Sequence, residues 1–335
     1  MYVFIMYNII MLLFSLIIIL AGAEIFTNSV EWLGKKLNLG AGAVGSIFAA
    51  VGTAMPETLV PVIAILGDSH DTGGHDVGIG AILGAPFMLA TLAMFVTGVA
   101  AIIKRKNNSP MKIMPDVMKR DMRFFMLVYT VAILASFLPI RLLKLATAIL
   151  LVCAYFYYVY KTLKSSIGMY DEEENINHLY LARKSDSPHI ALVFLQLAFA
   201  LSLIIAGANI FVGSIQIAAA AIGVPVLILS LIITPIATEL PEKFNSIIWV
   251  SHGKDTLALG NITGAMVFQS SLIPAIGIIL TAWELEPVAL LSAALALSAI
   301  IYQYTGFWGK HGLKPTHLLF SGFFYLIFIV LVIVL

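Results

Sequence analysis

The chain has 335 residues, a formal net charge of +1, 61% hydrophobic residues and only 11% charged ones. A soluble domain carries about 25% charged residues, so most of this apolar surface must meet lipid rather than water. The near-zero net charge excludes a basic field for nucleic acid, and the single cysteine, Cys153, excludes an intramolecular disulfide and a cysteine-based metal cluster.

A membrane-crossing helix needs about 20 largely apolar residues. Ten segments are read as spans: 7–26, 41–66, 77–103, 124–137, 142–163, 190–212, 224–250, 257–282, 287–304 and 316–335. The first has no basic n-region and matches a later segment, so it reads as a span and not as a cleaved signal. Of the 19 Lys and Arg residues, Lys243 lies inside a span. With the N-terminus outside, the loops on the outer side hold only Arg141 and Lys144, and the rest fall on the cytoplasmic side. This predicts an N-out, C-out topology. Residues 164–189, with the acidic run Asp171, Glu172, Glu173 and Glu174, read as a solvated cytoplasmic linker. Cys153, inside an apolar run, is expected in the core. Trp32, Trp249, Trp283 and Trp308 fall at segment ends, as interfacial belt residues do.

The sequence repeats itself. Ala21-Gly22-Ala23-Glu24-Ile25-Phe26 matches Ala206-Gly207-Ala208-Asn209-Ile210-Phe211. Thr53, Pro56 and Glu57 match Thr238, Pro241 and Glu242 at the same offset of 185 residues. The next pair, Gly80-Ala81-Ile82-Leu83-Gly84-Ala85 and Gly260-Asn261-Ile262-Thr263-Gly264-Ala265, is offset by 180. Five spans separate equivalent points, and an odd number inverts the second copy. The expected fold is therefore an all-α membrane protein of ten transmembrane helices in two inverted five-helix repeats. Residues 1–163 form the first repeat, 164–189 the linker and 190–335 the second repeat.

Glu57 and Glu242 are the candidates for chemistry. Each stands within a long apolar run, where a carboxylate costs about 2.5 kcal/mol or more and must face the protein interior. Each follows a proline, which removes a backbone donor and is expected to break or kink the helix. The carbonyls freed by a break, the hydroxyls of Thr53 and Thr238 and the two carboxylates would make an oxygen cage at the pseudo-twofold axis. Hard cations such as Ca²⁺ and Na⁺ prefer that ligand set.

Gly52-Thr53-Ala54-Met55-Pro56-Glu57 and Ala237-Thr238-Glu239-Leu240-Pro241-Glu242 resemble the two α-repeat signatures of the cation/calcium exchanger superfamily, the sodium/calcium exchangers and their relatives. Segments 80–89 and 260–269 resemble the Gly-Asn-x-x-Gly-Ser-Asn half of those repeats. The resemblance implies alternating access around midplane ions held between helices two, three, seven and eight. It also implies a Na⁺ or H⁺ gradient driving Ca²⁺ or another cation the other way. The chain departs from the family pattern at several places. Ala54 stands where a serine is usual, and Glu239 adds an acid at the matching place in the second motif. Ala85 with Leu89, and Ala265 with Gln269, replace the usual Ser and, four residues later, Asn or Asp. Glu239 and Gln269 join Glu57, Glu242, Thr53 and Thr238 as candidate cation-binding residues, with Glu57 and Glu242 as the metal-ligating pair.

Lys243 is the candidate modulator. It either stands in for one bound cation, with fewer coupled ions or protons as the consequence, or snorkels or pairs with Glu239 on a face away from the site. Asn261 is read as a bridge between helices. Gly40, Gly42 and Gly45 are read as packing surfaces, and Glu24 and Asn209 as interfacial. The segment 67–76 reads as a solvated hairpin.

No phosphate loop, nucleophile elbow, zinc pair or nucleotide fingerprint is present in the sequence. The expected function is a secondary cation antiporter and not an enzyme, with a passive cation channel and a non-transporting ion-sensing family member as rivals. It calls for no cofactor. Its expected partners are small inorganic cations (Ca²⁺, Na⁺ or H⁺) and the lipid bilayer, with no nucleic acid, and its expected place is the plasma membrane.

Overall fold

The computed structural model describes residues 2–36, 55–67, 73–105, 109–166, 177–183, 185, 187–251, 253, 255–307 and 313–334, and does not describe the side chains of 2–6, 34, 163, 165, 166, 240–245, 248 and 257. Regular structure among them is helical. The helices are α1 (Tyr2–Lys36), α2 (Met55–Leu66), α3 (Gly74–Met88), α4 (Met94–Arg105), α5 (Pro115–Leu134), α6 (Arg141–Ser166), α7 (Ile190–Ile222), α8 (Val226–Ser251), α9 (Asp255–Leu280), α10 (Pro287–Thr305) and α11 (Pro315–Val334). A π turn, Leu89–Ala93, joins α3 to α4. Every predicted segment coincides with a helix, wholly or in part.

Among the described residues seven stretches are long and apolar enough to cross a bilayer: Tyr7–Leu33, Gly74–Lys104, Arg141–Thr162, Ile190–Ile222, Ala258–Leu280, Pro287–Thr305 and Pro315–Val334. The other predicted spans fall short for separate reasons. Segment 41–66 is described only as α2. On α8 the described side chains run unbroken only to Glu239, and the apolar stretch Val226–Glu239 is too short for a span. The predicted span 124–137 is the apolar end of α5, whose first half carries Lys119, Arg120, Asp121 and Arg123.

At the second Pro-Glu motif, where a break or kink is expected, the helical structure is not broken. Helix α8 runs from Val226 to Ser251 through both Pro235 and Pro241. In a membrane protein, neighbouring helices and Ser/Thr hydroxyls satisfy the groups that a proline frees. The carbonyl four residues before Pro241, that of Ala237, still loses its amide partner. Helices α2, α3 and α9 likewise contain Pro61, Pro86 and Pro274.

By packing, the chain forms two compact units, Met1–Gly74 with Tyr160–Val224, and His75–Val159 with Pro225–Leu335. Each draws on both halves of the sequence repeat. In the first unit α1 and α7 cross as antiparallel partners. A Cβ on Gly22 would lie 2.8 Å from Ile204 Cγ1 and 3.2 Å from the Ala200 carbonyl oxygen. A Cβ on Gly207 would lie 2.8 Å from Ile19 Cγ1 and 3.1 Å from the Ser15 carbonyl oxygen. Gly207, Ile204 and Ala200 stand 185 residues after Gly22, Ile19 and Ser15. The contacts are therefore reciprocal, as a local two-fold axis between α1 and α7 produces. Close helix packing here rests on these glycines; Gly40, Gly42 and Gly45 lie outside the described residues.

The end of the linker is anchored to α1 and α7, although Asn177, His178, Leu181 and Arg183 stay exposed as a solvated linker would be. The Asn177 carbonyl accepts from Trp32 Nε1 at 2.9 Å and from Asn28 Nδ2 at 3.2 Å, and Tyr180 donates to Glu24 Oε1 at 2.8 Å. Gln196, fully buried on α7, donates to Asn28, Ser29 and the Ile25 carbonyl and accepts from the Leu181 amide. Leu179 packs between Trp32 and Val193. One leucine at the right distance from two apolar helices is enough to seat a short segment, and that signal is too local to read from composition. The acidic run 171–174 lies outside the described residues.

In the second unit, Arg141 and Lys144 cap the C-terminus of α9. Arg141 donates to the carbonyls of Ile278, Ile279 and Thr281, and Lys144 to that of Ala282. Cations there satisfy the orphan carbonyls and the negative end of the helix. Trp283 follows with φ 51°, fully buried, its Nε1 donating to the Ala132 carbonyl at 2.8 Å. Trp32 and Trp283 are thus core residues with satisfied indoles and not belt residues. Trp308 lies outside the described residues. Cys153 is exposed on α6, next to Ile149, Leu150 and Phe156, which are also exposed. It sits on the apolar outer face and not in the core.

Helix α3 packs on α8 through Gly80 and Gly84. A Cβ at Gly80 would meet the Leu227 carbonyl oxygen and Ser230 Cβ at 2.8 Å, and one at Gly84 would overlap the Leu231 carbonyl oxygen and Pro235. Backbone cannot yield as a side chain does, so Gly84→Ala is expected to cost about 1–3 kcal/mol. A lowered unfolding midpoint in detergent would register that loss, and an unchanged midpoint would contradict the close approach.

Candidate functional site

Helix α2 buries one face, formed by Pro56, Glu57, Val60, Pro61 and Ala64. The i, i+3, i+4, i+7 spacing keeps these residues together, and Met55 and Leu59 pack against Phe26, Val30, Ala200 and Ile204. Glu57 is consequently held in the first turn of an apolar helix with 6% of its surface exposed. That meets the expectation of an inward-facing intramembrane carboxylate. Thr53, its predicted companion, lies outside the described residues.

The second motif lies on α8, which forms an antiparallel hairpin with α9. Gly253, at φ 76°, stands in the connection. At the near end of the hairpin Asn261 Nδ2 donates to Ser246 Oγ at 3.4 Å, so Asn261 bridges the two helices as expected. Farther along, Gln269 Nε2 donates to Glu239 Oε1. The added acid and the altered family position on α9 are therefore direct partners. Glu239 is fully buried and Gln269 3% exposed. Among the described residues Gln269 Oε1 has no hydrogen-bond partner, which leaves a hard neutral oxygen beside the acid. Glu242 and Lys243 are placed on α8, and their side chains lie outside the described part. Whether Lys243 pairs with Glu239 is therefore not described.

Thr238 is 3% exposed and donates to the Thr234 carbonyl at 3.1 Å, keeping its oxygen lone pairs free of that bond. Thr234 and Ser230 exchange a hydrogen bond at 3.0 Å, and Ser230 donates to the Val77 carbonyl on α3 at 2.7 Å. Ser230, Thr234 and Thr238 thus form a buried hydroxyl file on one face of α8. Their spacing of four is plain in the sequence, and it is the signal that an argument centred on the carboxylates passes over. Ser270 and Ser271 are also fully buried, but both bond to the Val267 carbonyl.

The long apolar helices with buried acids define an all-helical, multi-pass integral membrane protein. The model of the family "Sodium/calcium exchanger protein" matches residues 7–164 and 192–335, and the chain belongs to that family. The family is one of exchangers, which are transporters of small inorganic cations. The chain is similar to the inner membrane protein YrbG of Escherichia coli K12, with 23% identity, covering 83% of this chain and 82% of the relative. It is similar to the putative antiporter CaxA of Alkalimonas amylolytica, with 25% identity over 86% of this chain and 88% of the relative. Its fold is similar to the crystal structure of the H⁺/Ca²⁺ exchanger CAX, with a TM-score of 0.71, 17% identity and coverage of 97% and 82%.

Proposed function

We propose that this chain is a secondary active antiporter that exchanges Ca²⁺ or another cation for Na⁺ or H⁺ by alternating access. The observation that carries the reading is a buried acid in each motif helix, Glu57 on α2 and Glu239 on α8. A charge in such places is retained for function and not for stability. Glu57 and Glu242 are the principal cation ligands, assisted by Thr53, Thr238, Glu239 and Gln269. The reciprocal α1–α7 crossing supports an inverted-repeat build, and the distribution of Lys and Arg supports N-out, C-out insertion, in the plasma membrane.

The Glu239–Gln269 bond supports a narrower reading. One acid and one amide occupy places where the family pattern has a serine and an Asn or Asp. The amide donor then takes part of the coordination that Na⁺ would otherwise provide at Glu239. Coupling to H⁺, or to fewer Na⁺ ions, follows. Counterflow in proteoliposomes tests the class: excess unlabelled Ca²⁺ inside should drive transient uptake of labelled Ca²⁺ against its gradient. A channel gives no overshoot. A non-transporting sensor gives binding without flux, and either result rejects the antiporter reading for Ca²⁺.

A further inference from the structure

The third span departs from its repeat counterpart in helix type. Segments 80–89 and 260–269 match without a gap, but Leu89–Ala93 forms a π turn, whereas α9 continues as an α-helix to Leu280. A π turn is rare beside the α-helix and recurs at functional positions. This one is held from several sides. Thr91 Oγ1 donates to the Phe87 carbonyl at 2.5 Å, and Thr97 Oγ1 to the Ala93 carbonyl at 2.8 Å. The Ala90 carbonyl accepts from Gln303 Nε2 of α10 at 2.9 Å. The second amide proton of Gln303 goes to Ser321 Oγ of α11 at 2.6 Å. Gln303 is fully buried. The Ala90 carbonyl fixes the orientation of its amide, because the flipped form would set two acceptors against each other.

The turn lies between two tight helix contacts. Before it, α3 is locked to α8 at Gly80 and Gly84. After it, α4 is locked to α11: a Cβ on Gly98 would lie 2.8 Å from Leu318 Cβ and 3.0 Å from the Pro315 carbonyl oxygen, and one on Gly322 would meet Phe95. Phe87, two residues before the turn, also reaches α11, stacking on Tyr325 with centroids 5.4 Å apart. Between those contacts the hydrogen-bond ladder is open at the π turn and, through Pro86, at the Ile82 carbonyl, and a helix bends at such places.

We infer that the Leu89–Ala93 π turn is the joint of the third span and that Gln303 is a positioning residue that fixes its register, setting the rate of the conformational step in transport. Gln303 hydrogen-bonds with Ala90 and Ser321, neither a proposed ion ligand. It acts through the Ala90 carbonyl, one residue after Leu89. This inference rests on the transport reading for its kinetic part only.

The test compares the full-length wild type with Gln303→Met, which keeps the volume but removes both donors, and with Ser321→Ala, which loosens only the α11 side. Hydrogen–deuterium exchange over 87–95 is expected to rise about tenfold in Gln303→Met and less in Ser321→Ala. Ca²⁺ exchange is expected to lose about tenfold in kcat with KM unchanged within about twofold. Unchanged deuterium uptake, or faster uptake with unchanged kcat, overturns the inference. If Gln303→Met does not fold, Ser321→Ala decides by the same two readouts. Absence of exchange in the wild type rejects the transport reading alone, and deuterium uptake still decides whether Gln303 holds the turn.

Discussion

Glu57→Gln is expected to bring cation exchange to background, a fall of about 100-fold or more. The substitution keeps the size and the hydrogen-bonding capacity of the side chain and removes its charge. Loss of a group that merely orients a metal ligand costs about 10–100-fold, so loss of the ligand charge itself should cost at least the upper end. Glu57 is buried on the inward face of α2, where a glutamine is easier to accommodate than an acid. The variant should therefore be at least as stable as the parent, which separates a transport defect from a folding defect. Glu242→Gln is expected to behave alike, because the Pro-Glu pair occurs in both copies. Undiminished exchange in either variant would remove that residue from the site.

The second large effect is expected from the Glu239–Gln269 pair. A hydrogen bond to a charged acceptor contributes about 1.5–3 kcal/mol, so Gln269→Met should shift apparent Ca²⁺ affinity or turnover by about 10–100-fold. The reverse exchange of groups is more informative. Glu239→Ser combined with Gln269→Asp restores the family's usual arrangement of a serine on α8 and an acid on α9. If the pair sets the coupling ion, the double variant should gain dependence on a Na⁺ gradient. Coupling identical to that of the wild type would reduce the pair to a packing contact.

Much of the architecture is legible in the sequence, because the membrane imposes long apolar runs that local polar detail barely disturbs. The matched glycines at 22 and 207 mark where α1 and α7 meet, and Asn261 reads correctly as a bridge. What stays hidden depends on neighbours. Pro241 alone predicts a break or kink, and α8 stays helical through it. Trp32 and Trp283 look like interfacial anchors, but each finds a backbone carbonyl inside the protein. The π turn has no sequence signature at all: Leu89–Ala93 is ordinary apolar helix until Gln303, more than 200 residues later, supplies the donor. Within the site, the sequence names Glu239 and Gln269 separately as departures from a pattern, and only the antiparallel register of α8 and α9 makes them partners.

The central claim is coupled exchange through Glu57, Glu239 and Glu242. The most direct measurement is Ca²⁺ flux in proteoliposomes under separately imposed Na⁺ and pH gradients, with Glu57→Gln as the control. The account predicts Ca²⁺ movement driven by a gradient of one of these ions and abolished in the variant. Gradient-independent flux, or gradient-driven flux that survives Glu57→Gln, would contradict it.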